Sequence, residues 1–177
     1  MKAYVVETNV AIVANNLPEK TPQANAVCIL ACIRKLRECL NILKAESEGR
    51  LVLDDAGRIQ REYAAHLSRS GQPGVGDEFF FEVIQQEYGP CCERVSITAQ
   101  GYSYEEFPSD PALAGFDPAD HKFVAAALAS ENDPIVLNAV DSDWHNFAAA
   151  LEAAGVRIDQ LCPQCLKEDS GGGEQAR

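Results

Sequence analysis

The feature that most restricts the fold of this chain is the alternation of short apolar runs with longer stretches of helical periodicity. Residues 3–7 open as a buried-type strand. Residues 23–45, "QANAVCILACIRKLRECLNILKA", follow a helical stripe through Val27, Leu30, Ile33, Leu36 and Leu40. "LVL", residues 51–53, is a short strand, followed by a helix capped by Asp54 or Asp55 and running to about Leu67. A Gly/Pro loop spans residues 68–77, and a helix is expected over 77–87. "RVSITA" is a strand, residues 101–116 a long loop, and Asp117-Pro118 starts a helix with a capping acid and proline at its first position. "PIVLNAV" is a strand, Trp144 to Ala154 a helix, and "VRIDQL" a last strand. Strands alternating with helices predict an α/β domain with a mainly parallel central sheet flanked by helices.

A chain of 177 residues suffices for one such domain with a core. It is expected over residues 1–161, with 162–177 as a disordered tail ending in "DSGGGEQAR". No apolar run approaches the roughly 20 residues of a membrane helix. The N-terminus has one lysine and no long apolar stretch, so a cytoplasmic location is the default expectation. The formal net charge of -12 repels phosphates as a whole. It suits a protein that gathers carboxylates around a divalent metal, or one that binds a basic partner.

There are seven cysteines. Cys28 and Cys32 share a helical stripe with Leu36 and Cys39, which reads as core packing. "CPQC", Cys162 to Cys165, is half a zinc site, and no other half is evident beyond the Cys91-Cys92 pair. Reduced thiols are the simpler expectation.

In α/β folds ligands bind beyond the carboxyl ends of the strands, and acids gather where those ends are expected. Glu7 stands where the first apolar run stops, followed by Thr8 and Asn9. Glu62 lies about 60° from Ile59 on a helical wheel, at the edge of the stripe Ile59, Tyr63, Leu67. A surface pair with Arg58 explains it equally well. Asp120 is in line with Phe123, Val124, Ala127 and Leu128, and a carboxylate there is costly unless paired or bound to metal. Asp117 already caps that helix. Asp141 follows "PIVLNAV", with Asp143 expected as the cap of the next helix. If these acids meet, they form an oxygen-only site for Mg²⁺ or Mn²⁺, suited to attack of an activated water on a phosphodiester.

With these parts assembled, the chain resembles the PIN-domain nuclease family over about residues 4–161. The matching stretches are "VVETNV", "LVLDDAGRIQREYAAHL", "DPADHKFVAAAL" and "IVLNAVDSDWHNF". Each is weak alone; together they stand in the family's order. The resemblance implies a Rossmann-like three-layer fold and a metal-dependent endonuclease, usually acting on RNA. Many relatives are toxins of toxin–antitoxin pairs, and others act in RNA processing or phage defence. It implies catalytic roles for Glu7, Glu62, Asp120 and Asp141, and Mg²⁺ or Mn²⁺ held by Glu7, Asp120, Asp141 and Asp143. Thr8 and Asn9 match the small polar pair with which the family orders its acid and starts the next helix. The chain departs in one respect: the family usually has Asp where Glu7 stands, and the longer arm implies weaker activity or a turn towards Mn²⁺.

Asn9 and the cations beside the acids, Arg58, Arg61, His121 and Lys122, are the expected substrate contacts, although a solvated helix face explains the cations equally. The expected partners are RNA and a protein such as an antitoxin, with a homo-oligomer left open. The alternative function is a catalytically silent PIN-like module that binds RNA or protein.

Overall fold

The structure, a computed structural model, describes residues 1–166. Its frame is a five-stranded, wholly parallel sheet in the order β3-β2-β1-β6-β7. The strands are β1 (Ala3–Val6), β2 (Arg50–Asp54), β3 (Cys92–Val95), β6 (Ile135–Asn138) and β7 (Arg157–Gln160). A small antiparallel hairpin, β4 (Ala99–Gln100) with β5 (Ser103–Tyr104), stands apart from it. The helices are α1 (Thr8–Ala14), α2 (Ala26–Leu43), α3 (Arg58–His66), α4 (Val75–Gln86), α5 (His121–Ala129), α6 (Ser142–Asn146) and α7 (Ala148–Ala153).

Parallel strands need crossovers long enough to return the chain to its starting edge, and here helices supply them. Every residue of β1 is buried, as expected for a central strand covered on both faces. α1, α2 and α4 pack on one another, and α5 lies against β1, β2 and β6. The α/β class, the parallel sheet and the flanking helices are those expected from the alternation. Close approach of α1 and α4 depends on Gly76, where a Cβ would sit 2.0 Å from the Ala11 carbonyl oxygen.

Several local expectations are corrected. The buried stripe of α2 runs through Cys28, Cys32, Leu36, Cys39 and Leu43, whereas Val27 and Leu30 face outward. Both stripes fit helical periodicity, and packing on α1, α4 and β2 selects one. The third sheet strand stops at Val95, before most of "RVSITA"; the Thr98 N–H then turns to the Glu106 carboxylate and the chain enters the hairpin. The single helix expected over 144–154 is two, broken at Phe147, whose ring packs edge-on against Phe116. The expected tail starts too early: residues 163–165 form a 3-10 turn, and Cys162 is buried and disulfide-bonded to Cys28. This bond also replaces the reduced thiols expected at those two positions. "DSGGGEQAR" lies outside the described residues.

The chain leaves β1 towards β2 and β3 on one side, then returns to place β6 and β7 on the other. The order therefore reverses between β1 and β6. A crevice opens at such a reversal, beyond the carboxyl ends of the two strands.

Candidate functional site

Glu7 follows β1 directly and is only 4% exposed. Its N–H still bonds across the sheet to the Leu137 carbonyl, 3.1 Å away. Its side chain turns back to accept the Asn9 N–H at 2.8 Å, which makes it the N-cap of α1. The strand therefore ends on an acid that also starts a helix. Among the described residues, the Asn9 N–H is the one hydrogen-bond donor to this carboxylate.

Glu62 arrives from α3. Gly57, at φ 71°, supplies the left-handed turn between β2 and this helix. The Tyr63 hydroxyl donates to the Val6 carbonyl at 2.5 Å, tying α3 to the residue before Glu7. The Thr8 hydroxyl donates to Glu62 Oε1 at 2.6 Å and aims its carboxylate inward. Glu62 Oε2 pairs with the Lys122 ammonium, which also donates to the Ala119 carbonyl.

Asp120 closes a 3-10 turn, Pro118–Asp120, just before α5. The Asp117 side chain caps this turn by accepting the Ala119 N–H at 2.9 Å, as expected, so Asp120 has no capping bond to make. It is buried, one turn before the core residues Phe123 and Val124.

Glu7, Glu62 and Asp120 each offer an oxygen within 4.8 Å of the others'. Three residues remote in sequence thus converge at the sheet's switch point. Asp141, which follows β6, lines the same pocket as Glu7 and Glu62, and its charge bears on Asp120. Burial raises the Glu7 carboxyl well above the usual carboxylate range, and the charges of Asp120, Glu62 and Asp141 add to this against the Asn9 bond. Asp120 is pushed up to about 8, first by burial, then by Asp141, Glu62 and Asp117. Acids that hold protons this firmly are short of positive charge, and the Lys122 ammonium supplies part of it.

The donor set suits a hard, oxygen-binding divalent cation such as Mg²⁺ or Mn²⁺. All donors are carboxylate oxygens, and Glu7, Glu62 and Asp141 open on a pocket of about 310 Å³ lined also by Thr8, Asn9, Ile12, Gln23, His66 and Val140. Two polar members of that lining, Gln23 and His66, were not anticipated. Glu62 and His66 are one helical turn apart on α3, a spacing that signals a shared face.

Other expected site residues lie elsewhere or do different work. Asp141, not Asp143, is the N-cap of α6, accepting the Asp143 N–H at 2.9 Å. Asp143 accepts the Asp117 N–H at 3.2 Å and braces the turn that carries Asp120. It stands outside the three-acid group. Asn9 clamps α1 to the end of β6, accepting from the Ala139 and Val140 N–H groups and donating to Asn138 Oδ1.

His121 is a core residue rather than a phosphate contact. Its ring stacks on Phe107 at 3.6 Å, and its nitrogens bond Ser103 Oγ and the Phe116 carbonyl. Burial, above all, lowers its proton affinity, although the Phe116 carbonyl opposes this. Arg58 pairs with buried Asp54 and lies over the Tyr104 ring. Arg61 is exposed and donates to the Ala56 carbonyl at 2.9 Å.

Fold and site together define an α/β protein with a carboxylate cluster at the switch point of a parallel sheet. Comparison with family models, curated proteins and solved structures found no match.

Proposed function

We propose that this protein is a Mg²⁺- or Mn²⁺-dependent endoribonuclease of the PIN type. The observation that carries the reading is the convergence of Glu7, Glu62 and Asp120 within 4.8 Å at the carboxyl ends of the strands. Glu7, Glu62 and Asp120 would hold the cation, with Asp141 beside them. When bound, the cation supplies an acidified water and neutralises charge on the phosphate being displaced.

The remaining chemistry belongs to the chain. Thr8 fixes the rotamer of Glu62, and Asn9 keeps the two strand ends at constant separation. Asp141 adds its negative charge beside Asp120, which a bound cation would offset. His66, exposed at the rim, is placed to meet a phosphate or to give a proton to a leaving oxygen. The acidic surface at large also suits a basic protein partner of the antitoxin kind.

A second reading, a silent PIN-like module that binds RNA or protein, draws on Lys122. Its ammonium already neutralises Glu62 and so can stand in for part of the charge a metal would bring. Incubating the purified protein with labelled single-stranded RNA and DNA, in Mg²⁺, Mn²⁺ or EDTA, decides between them. Internal cleavage of RNA that needs metal is the expected result. Absence of cleavage in the wild type and in Glu7→Asp, with RNA still bound, would establish the silent module.

A further inference from the structure

A second cluster lies on the far side of β6, at the seam between the start of α2 and the segment after β7. Cys28 and Cys32 occupy successive turns of α2 on its buried face. Cys162 directly follows β7 and Leu161, and Cys165 ends the 3-10 turn that comes next. The structure joins Cys28 to Cys162 across 134 residues of sequence. It also brings the Cys32 sulfur to 3.9 Å from that of Cys162, with all three sulfurs within 4.8 Å of one another. The Cys165 N–H donates to the Cys162 carbonyl at 2.9 Å, so the fourth thiol rides on the same tight turn, its sulfur just outside the group that the other three form.

We propose that Cys28, Cys32, Cys162 and Cys165 form a tetrathiolate Zn²⁺ site, of which the Cys28–Cys162 disulfide is the oxidised, metal-free form. Two C-x-x-C-like pairs, one on a helix and one on a tight turn, are the usual donors of a closed structural zinc site. A Zn–S bond of about 2.3 Å sets the sulfurs of a tetrahedron about 3.8 Å apart. The separation of Cys32 from Cys162 already matches that edge. Cys28 stands in the first turn of an 18-residue helix, where the positive end of the helix dipole favours a thiolate. The Cys91-Cys92 pair cannot complete the site. It belongs to β3, at the opposite edge of the sheet from β7, about 19 Å away at four strand spacings.

Conversion between the two forms balances simply. A dithiol reductant delivers two electrons and two protons to the disulfide and leaves as its own disulfide. Binding of Zn²⁺ then releases the protons of the four thiols. The site would pin the segment after β7 to the start of α2. Cys165 also lines a groove of about 560 Å³ with Gln23 and Val140, two residues shared with the acidic pocket. Zinc would therefore stiffen one wall of the candidate active site without taking part in its chemistry.

The test uses the full chain, expressed with added Zn²⁺, purified with a thiol reductant and washed with a competing chelator. Metal analysis should find about one zinc per chain in the wild type and in Cys91→Ser, and far less in Cys32→Ser and Cys165→Ser. Those two variants keep Cys28 and Cys162, so their fold can be checked after the reductant is removed and the disulfide re-forms. Replacement of zinc by Co²⁺ should give the intense thiolate-to-cobalt charge transfer and visible bands of a tetrahedral sulfur site, absent in Cys165→Ser. A reduced wild type that holds no zinc and shows no cobalt spectrum overturns the proposal. So does zinc retained undiminished in Cys32→Ser and Cys165→Ser. Neither readout depends on nuclease activity, so this site and the acidic site stand or fall separately.

Discussion

Two neighbouring strands end on buried acids, and the two acids lead different lives. Asp54 closes β2 with no exposed surface. It accepts the Arg58 and Ile59 N–H groups at 3.0 and 2.8 Å and pairs with the Arg58 guanidinium at 3.3 Å. Its charge is answered by the start of α3. Glu7, beyond the end of β1, has one N–H and faces three further acids. Burial is common to both, so burial does not tell them apart. What separates them is whether local partners answer the charge. Asp54 is complete as folded, whereas Glu7 is left facing three like charges.

The largest expected effect breaks this comparison at its active end. Asp120→Asn should lower metal-dependent RNA cleavage by on the order of 100-fold or more, the scale of losing one key electrostatic contact in a catalytic site. The same substitution should raise the melting temperature of the metal-free protein, at about 2–4 °C per kcal/mol for a domain of this size. The sign follows from linkage. Asp120 holds its proton up to about pH 8 when folded, far above an unfolded carboxyl, so the folded state binds more protons in between. Stability of the metal-free protein should therefore fall as pH rises from about 4 to 8. Mg²⁺ should restore it, and Asp120→Asn should flatten the slope. Thermal scans across that range, with and without Mg²⁺, would show a rising or flat profile if the cluster is not strained.

Asp54→Asn tests the other side. It removes one acceptor site and a buried ion pair, at a cost of about 2–4 kcal/mol. Opposite signs in the two Asp→Asn variants are the expected signature of one answered and one unanswered carboxylate. Chemical denaturation measures both, and a stabilised Asp54→Asn would erase the distinction.

Lys122→Gln sharpens the account of the cluster. Loss of the ammonium beside Glu62 should tighten Mg²⁺ binding several-fold, because a fixed positive charge opposes a second cation. It should also make the metal-free protein less stable. Calorimetric titration of Mg²⁺ into wild type and variant checks the first, and an unchanged affinity would place Lys122 outside the site's electrostatics.

The smallest effect belongs to Glu7→Asp, for which Mg²⁺-dependent activity should hold or rise by a factor of a few. Aspartate remains a good N-cap for α1 and has the arm length usual in the family that the sequence resembles. Glu7→Gln should move the other way, with weaker cleavage and more metal needed for half activity. Identical metal dependence in wild type and both variants would remove Glu7 from the ligand set.

The sequence by itself determined the α/β class, the parallel sheet and three of the acids that meet, because these rest on short-range patterns. Strand runs, helical stripes and the Asp117-Pro118 cap are each written within a dozen residues. Asp120 was legible for the same reason: a carboxylate on the inward stripe of a helix conflicts with its neighbours whatever the rest of the chain does. Only the tertiary structure decided what depends on residues far apart. His121 looks like a cation beside an acid until Phe107, Phe116 and Ser103 close around it. Asp141 and Asp143 are both plausible caps, and the N–H groups of Asp143 and Asp117 assign them different work. Cys28 and Cys32 read as core packing until the chain returns after β7 and sets Cys162 against them. A side chain's neighbours along the chain are fixed by covalent order, but its solvation and its charge partners are supplied by whatever the fold brings alongside.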